Sequence, residues 1–297
     1  MSAGASTEPV GAATLVRWLT AHHRARAAIA VAGSLAPNVR DTLPIQTAVG
    51  DAYAAESDWT GLEAFLSPQN WHEQDFVRRS VLLRARTASG KITIDPGWHA
   101  LLDDSSVGSP ELLALGDLAQ AWNWRAQEEA AYWRVVGHGF PLRQEALIRL
   151  WDLYLHSGDT RGLLRVASEQ LADRPNDLGF KNNVAFLSLL LDPRASNAQR
   201  LARENWSSAP QRHEVAATYG YALFCGGHIE ESLAVFQGLK SEDIKRSNVA
   251  LYYALALQQA GRLAEAAQYA GYANGPGILP EERKLLEKLR AELPPHP

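Results

Sequence analysis

Small and apolar residues recur along this chain on a 34-residue grid. Counting back from Ala266 in steps of 34 gives Ser232, Ala198, Leu164, Ala130, Pro96, Leu62 and Ala28, and seven of those eight positions are small or apolar. Such residues are wanted where one helix of a hairpin crosses closely over the other, because a bulky polar side chain would hold the two backbones apart. Gly50, Gly220 and Ala254 occupy the matching site in the first helix, and Leu15, Val49, Leu83, Tyr219 and Tyr253 precede those sites or their equivalents, continuing an inward apolar stripe. The pattern predicts a chain of helical hairpins, each pairing a first and a second amphipathic helix.

Turn residues fall on the same period. Gly227 and Gly261 lie 34 residues apart and each opens a Gly-x-x-x-Glu-(Ser/Ala) segment. Pro141, Pro175 and Pro210 follow at steps of 34 and 35 residues, where a residue lacking the amide hydrogen ends one helix or begins the next. Tyr154-x-x-x-Gly158-Asp159-x-x-Gly162-Leu163 repeats Tyr53-x-x-x-Ser57-Asp58-x-x-Gly61-Leu62 at a distance of 101 residues, three periods less one. A fixed period of this length marks a stacked helical repeat.

The period weakens in two places and stops in a third. In the third repeat the grid site is Pro96, preceded by Lys91-Ile92-Thr93-Ile94-Asp95, which predicts a short second helix with Asp95 as N-cap and Pro96 first inside it. In the sixth repeat Asp192-Pro193-Arg194-Ala195-Ser196-Asn197 replaces the usual Gly-Asp and lengthens the turn by about one residue. From Pro280 to Arg290 the chain reads as a charged helix with Leu285, Leu286 and Leu289 on one face, suited to cap the last hairpin.

The chain resembles the tetratricopeptide repeat (TPR) family. The residues that carry the resemblance are Tyr219-Gly220, Gly227, Ser232 and Phe236; Tyr253, Gly261 and Ala266; Tyr154, Gly158, Asp159 and Pro175; and Asn182-Asn183-Val184-Ala185, which is similar to the start of a first helix. The resemblance implies an all-α fold, a right-handed superhelical solenoid of about eight TPR-like hairpins with a C-terminal capping helix. Residues 1–8 are expected to be a disordered segment, 9–279 the repeat array with a degenerate repeat near 77–110, and 280–297 the capping helix and tail. One continuous core is expected, and any break in it near 88–110.

The resemblance also implies where a ligand would lie, on a concave groove lined by the first helices. Register places Arg149, Asp152 and His156 there from the fifth repeat, Asn183 and Phe186 from the sixth, Tyr221 from the seventh, and Tyr252 and Gln259 from the eighth. Carboxamide, guanidinium and aromatic side chains can hold an extended peptide through its backbone, its carboxylates and its apolar side chains. In TPR proteins an asparagine at the position of Asn183 often contacts ligand backbone. The family's clamp for chaperone tails needs further cations on consecutive first helices, where this chain has leucine, tyrosine and phenylalanine. That composition suits an apolar helix or an extended segment as ligand, or packing of the groove on itself.

Composition and charge narrow the chemistry. The 297 residues are 46% hydrophobic and 21% charged with a net charge of −4, a folding chain without the basic excess that nucleic acid or an anionic membrane would call for. No stretch reaches the roughly 18 apolar residues of a spanning helix. Residues 27–36 superficially resemble a signal-peptide core, but alanine dominates them and they are in repeat register, so a cytoplasmic location is favoured. Cys225 is the single cysteine, so no intrachain disulfide forms, and its place in an apolar helix marks a buried structural thiol.

Catalytic constellations are missing. His72-Glu73 and His213-Glu214 lack the second histidine of a zinc pair, and no phosphate-cradling glycine loop or Gly-x-Ser-x-Gly elbow is present. No metal and no cofactor are expected. Glu128-Glu129, Glu230-Glu231 and Glu281-Glu282 fall in first turns, where negative charge complements the helix dipole. The expected function is therefore a non-catalytic scaffold that binds a protein or peptide segment in its groove. The alternatives are an α-helical toroid enzyme acting on carbohydrate, suggested by the nine tryptophans and the acidic pairs, and a structural subunit of a larger assembly.

Overall fold

The computed structural model describes residues 8–275 and 277–293. Apart from Glu8, the N-terminal segment expected to be disordered lies outside the described residues, as do Pro276 and the tail from 294 onward. Among the described residues the fold is all-α, and the chain divides into two compact units, Met1–His138 and Gly139–Pro297. The division falls at His138 and Gly139, outside the degenerate stretch 88–110.

The N-terminal unit holds α1 (Pro9–Ala21), α2 (Ala25–Gly33), α3 (Pro37–Arg40), α4 (Leu43–Ala55), α5 (Trp59–Leu66), α6 (Asp75–Ala88), α7 (Ile94–Leu102), α8 (Ser109–Ala121) and α9 (Arg125–His138). Four hairpins result, α1–α2, α4–α5, α6–α7 and α8–α9, with α3 a single turn between the first two. Alanines dominate the first core: Ala12, Ala13, Ala25, Ala28, Ala32, Ala48 and Ala52 pack with Val16, Ile45 and Val49. Small side chains let α1, α2 and α4 approach closely, so little apolar area is needed per helix.

The C-terminal unit holds α10 (Arg143–Ser157), α11 (Thr160–Asp173), α12 (Leu178–Leu191), α13 (Ser196–Ser208), α14 (His213–Cys225), α15 (Ile229–Gln237), α16 (Ser241–Ile244), α17 (Ser247–Gln259), α18 (Leu263–Tyr272) and α19 (Pro280–Glu292). Its hairpins are α10–α11, α12–α13, α14–α15 and α17–α18, so the two units together hold the eight hairpins that the 34-residue grid predicts. The short helices α3 and α16 have no counterpart in that prediction.

The repeated motifs have direct physical causes. Asp58 and Asp159 sit at the N-caps of α5 and α11, and each carboxylate accepts a hydrogen bond from the backbone N–H of the glycine three residues on, Gly61 at 2.9 Å and Gly162 at 3.0 Å. That glycine is also where a tyrosine ring lies: a Cβ on Gly162 would stand 2.4 Å from Cδ1 of Tyr154, and one on Gly61 2.8 Å from Cε1 of Tyr53. The aspartate caps the helix while the glycine leaves room for the ring, which is why the three residues recur together. Gly227 and Gly261 have φ of 79° and 78°, the left-handed turn that closes a helix at low cost only for glycine.

The grid sites divide by hairpin. Ala28, Leu62, Ala198, Ser232 and Ala266 are buried, and the Ser232 hydroxyl donates to the Gly220 carbonyl at 2.7 Å, tying the second helix of its hairpin to the first. Leu164 and Ala130 are half-buried, and their neighbours Leu163 and Ala131 fill the core instead. Pro96 is exposed. The second helix there is short, as predicted, but α7 starts at Ile94 with Thr93 as its cap residue, which places Pro96 third rather than first. Proline is tolerated there because the first-turn amides have no partner within the helix. Asp95 does not cap; its carboxylate accepts from Nε2 of Gln127 at 2.8 Å. The α12–α13 turn spans 192–195, one residue longer than the α14–α15 and α17–α18 turns.

Candidate functional site

The site is built on α10, α12, α14 and α17, the first helices of the C-terminal unit, with α19 laid against them. Helix α19 presents Leu286 and Leu289, which are buried, and packs on α12, α17 and α18. Its polar contacts fix it in place. Glu282 accepts a hydrogen bond from the Tyr252 hydroxyl at 2.6 Å and another from the Leu279 amide at 3.0 Å, the latter as the third residue of α19 reaching back to the start of its own helix. Thr160 on α11 donates to Glu281, Gln258 donates to Glu292 at 2.5 Å, and Arg290 donates to the Ala270 carbonyl at 3.2 Å. Pro280 touches the α10–α11 turn, where a Cβ on Gly158 would meet its ring at 3.1 Å. The last helix therefore caps its neighbouring hairpin and also reaches back to α11 and α12.

Between α12 and the start of α19 is a half-open cavity of about 260 Å³. Asn183, Phe186 and Tyr252 line it, so the structure brings together three of the eight residues that register had grouped. The other five lie off its wall. Arg149 is half-buried and reaches Glu145 one turn earlier at 3.4 Å. Asp152 is exposed, and its carbonyl lies 2.7 Å from Nδ1 of His156, whose exposed ring folds back on its own helix. Gln259 is exposed at the end of α17. Tyr221 packs on Tyr252 with ring centroids 4.5 Å apart and the rings tilted by 39°, and both are buried, 2% and 1% exposed. Phe186 meets Tyr252 edge-on at 5.9 Å.

Burial sets the electrostatics. It pushes the Glu282 carboxyl up, against the lowering effect of the Tyr252 and Leu279 hydrogen bonds. The Tyr252 hydroxyl is raised well above the usual phenol value, first by burial and then by the neighbouring carboxylate. Cys225 is half-buried rather than fully buried, and burial still pushes its thiol up to about 11, so it is protonated at neutral pH.

Register did not mark Asn182, Glu214, Asn248 or Glu282, which also line the cavity. Asn182 is 7% exposed, and its Oδ1 accepts no hydrogen bond. The signal for Glu282 was present in the chain: a glutamate at the third position of a helix begun by proline is the reaching-back half of a capping box.

Tryptophans of the N-terminal unit pack against their neighbours. Trp98 is 1% exposed, donates its indole N–H to the Gln127 carbonyl at 3.0 Å, and meets Trp124 edge-on at 6.1 Å. The Arg84 guanidinium lies over the Trp59 ring at 5.3 Å and the Trp122 ring at 5.0 Å. Among the described residues no helix is long and apolar enough to cross a membrane.

Neither the known family models nor the curated proteins include a match to this chain. Solved structures do align. A tetratricopeptide repeat protein from Parabacteroides merdae superposes with TM-score 0.42 at 14% identity, over 82% of this chain and 97% of that one. A thermophilic TPR protein of Thermus thermophilus gives 0.41 at 17% identity over 62% and 98%, and the P58(IPK) TPR domain 0.28 at 14% over 95% and 97%. The chain is similar to TPR proteins. The TPR-like hairpin architecture stands on the packing described above.

Proposed function

We propose that the chain is a non-catalytic protein-interaction scaffold, and that its C-terminal unit receives a partner segment on the face shared by α10, α12 and the start of α19. The observation that carries this reading is α19. The chain uses α12, α17 and α18 as a docking surface for a helix of its own, held by two buried leucines and by side-chain bonds to Tyr252, Thr160 and Gln258. A surface that recognises one amphipathic helix has the shape and chemistry to recognise another segment beside it.

The neighbouring face of α10 supports the same reading. Ile148 and Leu155 are 56% and 40% exposed and seven residues apart, two apolar side chains on one side of the helix with the exposed Asp152 between them. Phe140, just before α10, is 73% exposed. Exposed apolar residues grouped in this way suit a partner's apolar side chains.

The test is to purify the full chain from its native host with its bound proteins and repeat the purification with Ile148→Asp, Leu155→Asp and Asn183→Ala. These positions are exposed or half-buried, so the fold tolerates the changes. Loss of the same partner in each variant, with unchanged circular dichroism, supports the reading. Retention of that partner by the triple variant refutes the placement of the binding face.

A further inference from the structure

The cavity between α12 and the start of α19 has an unbalanced lining. Its charged residues are Glu214 and Glu282; among the described residues no lysine, arginine or histidine lines it. Its remaining polar groups include three carboxamides, Asn182, Asn183 and Asn248, and the buried Oδ1 of Asn182 accepts nothing. Glu282 has spare capacity too: the Tyr252 hydroxyl and the Leu279 amide take two of the about four acceptor directions of a carboxylate. Glu214 is engaged from outside by Arg212 at 2.9 Å and by His213 at 3.3 Å, yet its side chain is 38% exposed and bounds the opening.

The walls fit a particular kind of donor. Trp151 and Phe186 supply aromatic rings, a residue type that attracts a cation, and Leu155 and Leu163 offer a lining for a methylene chain. Acceptors come from three separate elements, α12, α14 and α19. A tetrahedral ammonium with three donors matches that arrangement better than the planar fork of a guanidinium.

We propose that this cavity is a receptor for a lysine side chain carried by the partner segment, with the ammonium held among Asn183, Glu282 and Glu214 and the methylenes against Trp151, Leu155 and Phe186. The inference rests on the reading of α10 and α12 as the partner face and adds the chemistry of one anchor. The burial that raises the Glu282 carboxyl is consistent with a site that lacks its counter-charge when empty.

The test uses the full-length chain, labelled with ¹⁵N, and the peptide Ac-Leu-Lys-Leu-NH₂ beside the same peptide with Nε-acetyl-lysine or norleucine. The lysine peptide is expected to move the side-chain amide signals of Asn182, Asn183 and Asn248. The acetylated and norleucine peptides are expected to bind at least about tenfold more weakly, since both lose the charge. Glu282→Gln, which keeps an acceptor for Tyr252, is expected to weaken the lysine peptide about tenfold, and Glu214→Gln less, because it is more exposed. Should Glu282→Gln fail to fold, the acetyl-lysine comparison on the unmodified chain and Glu214→Gln still decide the matter. Equal binding of the acetylated peptide, or shifts elsewhere on the chain, would overturn the assignment. So would binding of free 1,5-diaminopentane where the lysine peptide is excluded, since that describes a small-amine site. A native partner lost from Ile148→Asp but indifferent to its own lysine acetylation would sink the cavity assignment and leave the scaffold reading standing. Loss of neither would sink both.

Discussion

Replacing Gly220 with alanine separates two opposed effects whose sizes can be read from the fold. Gly220 lies within α14, where alanine is the better helix former by about 0.8–1 kcal/mol. A Cβ built there stands 2.5 Å from Cζ and 2.6 Å from Cε2 of Phe236, closer than carbon atoms approach. Phe236 has no room to retreat: it is fully buried and leans on Tyr253 with centroids 5.4 Å apart. Forcing one extra carbon into a packed core costs typically 1–3 kcal/mol, and displacement of α15 would also strain the Ser232 bond to the Gly220 carbonyl. The net expectation is a loss of about 1–2 kcal/mol. Gly137 in α9 is the control, exposed and with nothing within 4 Å of a built Cβ, so Gly137→Ala is expected to be neutral or slightly stabilising. Urea unfolding followed by tyrosine and tryptophan fluorescence and by far-ultraviolet circular dichroism measures both. The double variant Gly220→Ala/Phe236→Leu should recover part of the loss relative to Phe236→Leu alone. If Gly220→Ala is as stable as the parent chain, close helix crossing is not what keeps this position small.

Three further outcomes are expected. Leu289→Ala, at a position 1% exposed on α19, should cost about 2–5 kcal/mol by urea unfolding; a cost below about 0.5 kcal/mol would mean that α19 is not firmly docked. Because burial raises the Glu282 carboxyl in the fold, its contribution to stability is fully present below the unfolded carboxylate value of about 4.3 and is lost as pH rises through the folded value. Glu282→Gln should therefore raise the melting temperature at pH 7 and lose that advantage near pH 4; an advantage that grows on acidification would contradict this. Cys225, with its thiol pushed up to about 11, should react slowly with iodoacetamide at pH 7.5 and rapidly in urea, as mass spectrometry would show. Rapid reaction in the folded chain would place it in a different environment.

The hairpins were legible in the chain because their cause is local. A small residue at several crossings, a glycine at a left-handed turn and an aspartate cap followed by glycine are short-range requirements that repeat with the structure. The faces of the helices were less legible. Register assigned Tyr221 and Tyr252 to an open groove, which supposes that each first helix keeps a free side. Every residue from Val249 to Leu257 is buried, because α17 is covered by α14, α15, α18 and α19. That run contains no charged residue, the mark of a helix buried all round, and it was the warning the chain offered. The landing place of α19 was not legible at all. Its leucines announce an amphipathic helix, but nothing local says that Glu281 meets Thr160, a residue 121 positions earlier.

That contact changes how the C-terminal unit should come apart. In a linear repeat array each hairpin touches only its neighbours, so stability is a sum of nearest-neighbour interfaces and the end frays first. Helix α19 binds the last hairpin to α11 and α12 and so adds couplings that skip over the hairpins between them. The terminal hairpin α17–α18 then cannot open without releasing the middle of the unit. Amide protons of α17 should exchange at the same free energy as those of α12, and the unit should unfold as one cooperative block in which the end of the chain is as protected as its centre.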